Sequence, residues 1–138
     1  MSALLGPVHH LGVAVADIEK ALPFYAETLG YRLFDGPHVD PIQRVRVAFL
    51  RREGTTDPVI ELIAPAADDS PVNNYLRKEV GAYHMCYEVI GMEATIAALR
   101  QRGCVLVSPP NPAVAFQGRR IAWLFTPTRQ LIEVLEHV

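Results

Sequence analysis

Two histidines and two glutamates stand at matching places along this chain, and together they form a set of residue types suited to holding a metal. His10 begins a Val-rich segment, and His84 occupies the same setting 74 positions later. Glu61 lies in Val-Ile-Glu-Leu-Ile, and Glu133 lies in Leu-Ile-Glu-Val-Leu, 72 positions further on. A lone carboxylate inside an apolar strand is costly to bury without a partner. Its recurrence at the equivalent place argues against chance. Imidazole and carboxylate together suit a divalent ion such as Co, Ni, Mn, Zn or Fe, with open positions for water or substrate. Four protein ligands on an octahedral ion leave two sites, enough to chelate two neighbouring oxygens.

The elements that must position these four residues also repeat. In the first half, residues 8–15 read as a strand. Asp17 offers an N-cap, and Ile18, Ala21, Leu22, Tyr25 and Leu29 follow at helical spacing, with Gly30 as the C′ glycine. Pro23 lies near the first turn, where proline is better tolerated. Residues 31–34, 44–51 and 59–63 read as strands, and 37–41 as loop. After a connector, the pattern restarts. A strand over 83–89 precedes a helix spaced by Met92, Ile96 and Leu99 that stops at Gly103. Strands follow over 104–107, 120–125 and 131–135, with a loop at 108–112. Residues 47–50 overlie 121–124 at an offset of 74, and Gly30 overlies Gly103 at 73. The reading is α+β, with two tandem βαβββ modules in a single domain, 1–138. Module one covers about 7–65, a connector 66–81 and module two 82–138. Ser70-Pro71 forms an Ncap–N1 pair for a short helix over 72–80.

Strand parity assigns faces. His10, Gly12 and Ala14 share one face, as do His84, Cys86 and Glu88. The opposite faces carry Leu11, Val13 and Val15, and Met85, Tyr87 and Val89. The histidine face, small and polar, reads as the lining of a cleft. Parity places His9 with Leu11, and the repeat sets Tyr83 opposite it. Glu88 falls on the cleft face as a spare acid or base, although a surface ion pair is the plainer reading. His38 and His137 have no repeat counterpart and read as surface.

Bulk properties exclude several classes. With 138 residues, half of them hydrophobic and a net charge of −2, the chain has no basic face for nucleic acid. No apolar run approaches the ~20 residues of a membrane helix. Cys86 and Cys104 form no CxxC spacing, which fits a reduced, cytoplasmic protein.

The motifs His-Leu-Gly-Val-Ala-Val (10–15), Phe-Tyr-Ala-Glu-Thr-Leu-Gly (24–30), Val-Ile-Glu-Leu-Ile-Ala-Pro (59–65), Asp-Ser-Pro-Val (69–72), Tyr-His-Met-Cys-Tyr-Glu-Val (83–89) and Leu-Ile-Glu-Val-Leu (131–135) resemble the vicinal oxygen chelate superfamily. That superfamily includes glyoxalase I and methylmalonyl-CoA epimerase. Ala-Pro, Asp-Ser-Pro and Tyr-Leu-Arg-Lys look like the epimerase branch. The resemblance implies a cupped, open eight-stranded mixed sheet, a homodimer, and a metal held by His10, Glu61, His84 and Glu133. It also implies an acyl thioester or thiol adduct as partner. Its chemistry removes a proton α to a carbonyl through an enediolate, with a cation neutralising the developing charge and a carboxylate taking the proton. Glu133 is the first candidate base and Glu61 its repeat mate. Epimerases of this kind carry a glutamate just before the third strand. Here Ile42-Gln43 stand there, so Gln43 enters only as a holder of water, and Gln43, Arg46 and Arg120 as possible contacts to a carboxylate or phosphate. The alternatives are a glyoxalase I-type lactoylglutathione lyase, whose turn length residues 126–130 match, and a non-catalytic small-molecule-binding protein. An Fe(II) dioxygenase is disfavoured by the second carboxylate.

Overall fold

The computed structural model describes residues 4–137. Its elements run β1 (Val8–Ala14), α1 (Ile18–Glu27), β2 (Arg32–Asp40), β3 (Val45–Arg51), β4 (Val59–Pro65), α2 (Val72–Arg77), β5 (Ala82–Val89), α3 (Met92–Gln101), β6 (Val105–Pro112), a 3₁₀ turn at Val114–Phe116, β7 (Arg120–Phe125) and β8 (Leu131–Glu136). All eight strands form one open mixed sheet in the order β2-β3-β4-β1-β5-β8-β7-β6. The order is symmetric about its centre, where β1 and β5 pair antiparallel. Each first strand then pairs parallel with its own fourth strand, β1 with β4 and β5 with β8.

Helices α1 and α3 form as their sequences dictate and cover one face of the sheet, while the short α2 packs on the opposite face beside the cleft. Asp17 caps α1 by accepting from the Lys20 N–H at 3.1 Å. Ile18 at its start is fully buried against Leu50 and Leu62. Met92, Ile96 and Leu99 of α3 pack on Leu124 and Val134. Burial of each such side chain contributes roughly 1.5–3 kcal/mol. The repeat reaches the ion pairs as well. Arg46 of β3 grips Glu19 at the start of α1 in a two-pronged contact of 2.6 and 3.0 Å, and Arg120 of β7 holds Glu93 at the start of α3 at 2.9 Å. Both arginines therefore tie helix to sheet and are not free for an anionic ligand. Arg120 is further engaged by Glu136 at 2.7 Å.

Several sequence expectations are corrected. Helix α1 ends at Glu27 with Thr28 as its cap, so Gly30, at φ +80°, sits one position beyond C′. Helix α2 stops at Arg77, short of residue 80. Residues 37–40 and 108–112 continue β2 and β6 rather than looping. Both are edge strands, where a proline costs no ladder bond on its open side. Irregular register along both edge pairs absorbs the prolines.

The two modules meet across the open face through Asp40. This buried carboxylate accepts the backbone N–H groups of Ile42 and Gln43 through Oδ1, at 3.0 and 3.1 Å, and that of Val114 through Oδ2 at 3.2 Å. One side chain thereby fixes the β2–β3 turn against the 3₁₀ turn of the other module. No helix among the described residues is long and apolar enough to cross a membrane.

Candidate metal centre

The four repeated residues converge at the centre of the sheet. His10 comes from β1, Glu61 from β4, His84 from β5 and Glu133 from β8, and all four are buried. The register sets this up: Gly12 of β1 faces both Glu61 and His84, while Cys86 of β5 faces both Glu133 and His10. His10 Nε2 lies 3.3 Å from Glu61 Oε1 and 3.1 Å from Glu133 Oε1. His84 Nε2 lies 3.5 and 3.3 Å from the same two atoms, and 3.3 Å from His10 Nε2. All four donor atoms lie within 4.8 Å of one another.

This set fits a divalent ion. Donors about 2.0–2.2 Å from a common ion stand roughly 3 Å apart when adjacent, which is the spacing found. Two of the cluster's own atoms, His84 Nδ1 and Glu133 Oε1, are buried without a hydrogen-bond partner. Buried polar atoms seldom go unsatisfied, and a cation at the convergence point would engage the Glu133 oxygen.

The remaining contacts orient the ligands. With His10 Nε2 aimed at the cluster, the proton of the neutral ring sits on Nδ1 and is donated to His9 Nδ1 at 2.9 Å. Burial, and then the neighbouring His10, lower the His9 pKa, which keeps it a neutral acceptor. Parity placed His9 on the far face. The structure turns it beside His10, with its ring edge-on to Phe116 at 5.2 Å, because His9 is the extra residue of a β-bulge between Val8 and His10. Tyr83 is the extra residue of the equivalent bulge on β5, and its ring lies 4.5 Å from that of His84. Each module also sets an aromatic ring edge-on to its histidine: Phe49 on His10 at 5.6 Å, Trp123 on His84 at 4.7 Å.

The cluster opens into a cleft of about 490 Å³ whose lining includes both Glu61 and Glu133. Its walls are mainly apolar, with Val47, Ile63, Phe116, Ile121 and Trp123 among them. Gln43 lines the cleft, and Ile42 stands at its lip, 51 % exposed. Glu88 does not line it. Its carboxylate pairs with Arg119 at 3.0 Å, so the ion-pair reading holds for this residue. His38 lies within β2 and pairs with Asp35 at 2.8 Å, and His137 is exposed near the end of the chain. Sequence reasoning missed Trp123, Phe116 and Tyr83 as parts of the site. The overlay of residues 47–50 on 121–124 was the available signal for Trp123.

Burial lowers the His10 pKa, but Glu61 and Glu133 outweigh it and raise it to about 10. The same carboxylates raise that of His84 against burial. A metal-free protein at neutral pH therefore holds imidazolium, and an incoming ion must displace protons. Because the pKa is raised, proton competition fades only as pH climbs toward that value. Apparent metal affinity is expected to rise about tenfold per pH unit between roughly pH 7 and 9 for each proton displaced. Competition with a coloured chelator measures this, and an affinity that stays flat over the window would contradict it.

Comparison with known proteins places this geometry. Residues 9–123 match the family described as the Glyoxalase/Bleomycin resistance/Dioxygenase superfamily. The ethylmalonyl-CoA/methylmalonyl-CoA epimerase of Cereibacter sphaeroides is 30% identical over 123 residues, which is 88% of this chain and 89% of that protein. The crystal structure of methylmalonyl-CoA epimerase from Mycobacterium tuberculosis superposes with a TM-score of 0.83 at 28% identity, covering 100% of this chain and 92% of that one. A methylmalonyl-CoA epimerase in complex with methylmalonyl-CoA and NH4+ superposes with a TM-score of 0.78 at 28% identity, covering 97% and 96%.

Proposed function

Because the chain belongs to the Glyoxalase/Bleomycin resistance/Dioxygenase superfamily, we propose that it is a metal-dependent isomerase of the epimerase type, acting on a 2-carboxyacyl-CoA thioester such as methylmalonyl-CoA. The observation that carries this reading is the buried Glu133 carboxylate, facing the cleft from within a complete His₂Glu₂ set. A divalent cation held by His10, Glu61, His84 and Glu133 would supply charge neutralisation for the enolate that forms when the α proton leaves.

The chain's own residues do the rest. The Glu133 carboxylate, which also lines the cleft, takes the proton from the carbon α to the thioester carbonyl. Phe116, Trp123 and Ile121 shield that carbon from bulk water, so the proton transfer takes place in a low-polarity pocket. Burial, and then Glu61 and Glu133, push the Tyr83 hydroxyl well up, so it stays protonated beside the cluster. The homodimer implied by the sequence resemblance belongs to the same proposal.

One observation favours a second reading. Among the described residues, the only carboxylates lining the cleft are Asp40, Glu61 and Glu133, and Asp40 is occupied by three backbone N–H groups. A single base suits a proton shuttle between adjacent carbons, as a glyoxalase I-type lyase performs on a hemithioacetal. Incubation of the metal-loaded protein with methylmalonyl-CoA in D₂O separates the two. The α-proton NMR signal is expected to disappear faster than in the uncatalysed control. Absence of exchange at high protein concentration, with turnover of a glutathione hemithioacetal, would move the assignment to the lyase.

A further inference from the structure

Gln43 is held more firmly than a turn residue needs to be. Its backbone N–H is fixed by Asp40, and its side chain is half-buried at the cleft wall. Its Oε1 accepts the indole N–H of Trp123 at 3.1 Å, across 80 residues of sequence. An indole nitrogen can only donate. The carbonyl end of the carboxamide must therefore face Trp123, and the N–H₂ end is turned the other way. Those two donors have no hydrogen-bond partner among the described residues. Trp123 is itself fixed: it pairs with Glu133 across β7 and β8, and its ring stands edge-on to His84. The amide is thus one indole away from the metal ligands.

Two of the other polar groups in the lining are engaged elsewhere. Arg44, the one guanidinium in the cleft lining among the described residues, is paired with Asp69 at 2.9 Å. Asn111 donates to the Pro109 carbonyl at 3.2 Å. The Gln43 amide offers an anionic acyl group entering this cleft two uncommitted N–H donors, beside the hydroxyls of Tyr75, Tyr83 and Ser108 and the amide of Asn74.

We propose that the Gln43 carboxamide donates an N–H to a carboxylate oxygen of the bound acyl group, with Trp123 as its positioning residue. Gln43 then selects thioesters that carry a carboxylate on the α carbon. This rests on the thioester reading above. The alternative is a latch in which Gln43 and Trp123 only join the modules.

Glutamate at this position separates the two. Gln43→Glu keeps an oxygen for the Trp123 N–H but replaces the donor end with a second oxygen. The probes are methylmalonyl-CoA and propionyl-CoA, which lacks the carboxylate, titrated calorimetrically into metal-loaded protein. Gln43→Glu is expected to weaken methylmalonyl-CoA binding ten- to a hundredfold and propionyl-CoA binding less than threefold, with metal content unchanged. Trp123→Phe, which frees the amide without removing it, is expected to weaken methylmalonyl-CoA by a smaller factor, and Gln43→Ala to resemble Gln43→Glu for both probes. A Gln43→Glu protein that binds methylmalonyl-CoA like wild type, while wild type catalyses α-proton exchange, would overturn this proposal alone. Equal losses for both probes would also overturn it. Wild-type protein giving no exchange would remove the thioester reading and this proposal together.

Discussion

Replacing Glu133 with glutamine is expected to slow α-proton exchange ~10²–10⁴-fold, the usual loss when a general base is removed. The substitution leaves an oxygen at the cluster but no proton acceptor. Glu61→Gln is the matched control. It removes the same charge from the same cluster, and Glu61 sits in the equivalent strand at the equivalent depth. Both variants weaken metal binding, so rates must be compared at saturating metal. If Glu133 is the base, its variant stays slow under those conditions while the Glu61 variant recovers most of its rate. Equal rates for the two would assign both carboxylates to ligation and sink the base assignment. The electrostatics of the metal-free cluster add a constraint. Burial pushes the Glu133 carboxyl up, but His10 and His84 hold it well below the ordinary carboxylate range. A carboxylate held that low is a weak base.

The four ligands were legible because the chain states each of them twice. A histidine at the head of each half and a glutamate in each last strand tie chemistry to topology, and the observed pairing of β1 with β4 and β5 with β8 explains why those strands carry them. Period-two reasoning failed where the period itself breaks. His9 and Tyr83 are the bulge residues of β1 and β5, and a single extra residue reverses the face that alternation assigns. The edge strands were hidden by proline, which reads as loop until the strand is known to have an open side. Glu88 was placed by parity on the cleft face but is engaged by Arg119, 31 residues away, a contact that no local pattern announces. The Gln43–Trp123 bond spans the modules and is likewise invisible to local reading.

A second substitution tests how the fold, rather than a ligand, builds the centre. Gly12 sits in β1 directly across from His84. A Cβ at Gly12 would stand 1.9 Å from His84 Cε1, 2.3 Å from Nδ1 and 2.5 Å from Nε2, which places it inside the imidazole ring. Gly12 is not among the residues with positive φ, so the requirement for glycine is space and not backbone conformation. The two halves differ here: the repeat-equivalent position 74 residues on is Cys86, which does carry a side chain. Gly12→Ala must therefore expel the His84 ring from the cluster or push apart the central strand pair. Overpacking of this kind costs roughly 1–3 kcal/mol, or about 4–12 °C in Tm for a chain of this size. Loss of one imidazole from the set is expected to lower metal affinity at least ~100-fold. His84→Ala is the comparator, since it removes the ring without the clash. If the steric account holds, Gly12→Ala matches His84→Ala in metal affinity and falls below it in thermal stability. Combining the two substitutions should then restore part of that stability, because the ring that the new methyl displaces is no longer there. A Gly12→Ala protein that binds metal as wild type does would show that His84 is not held where this geometry requires.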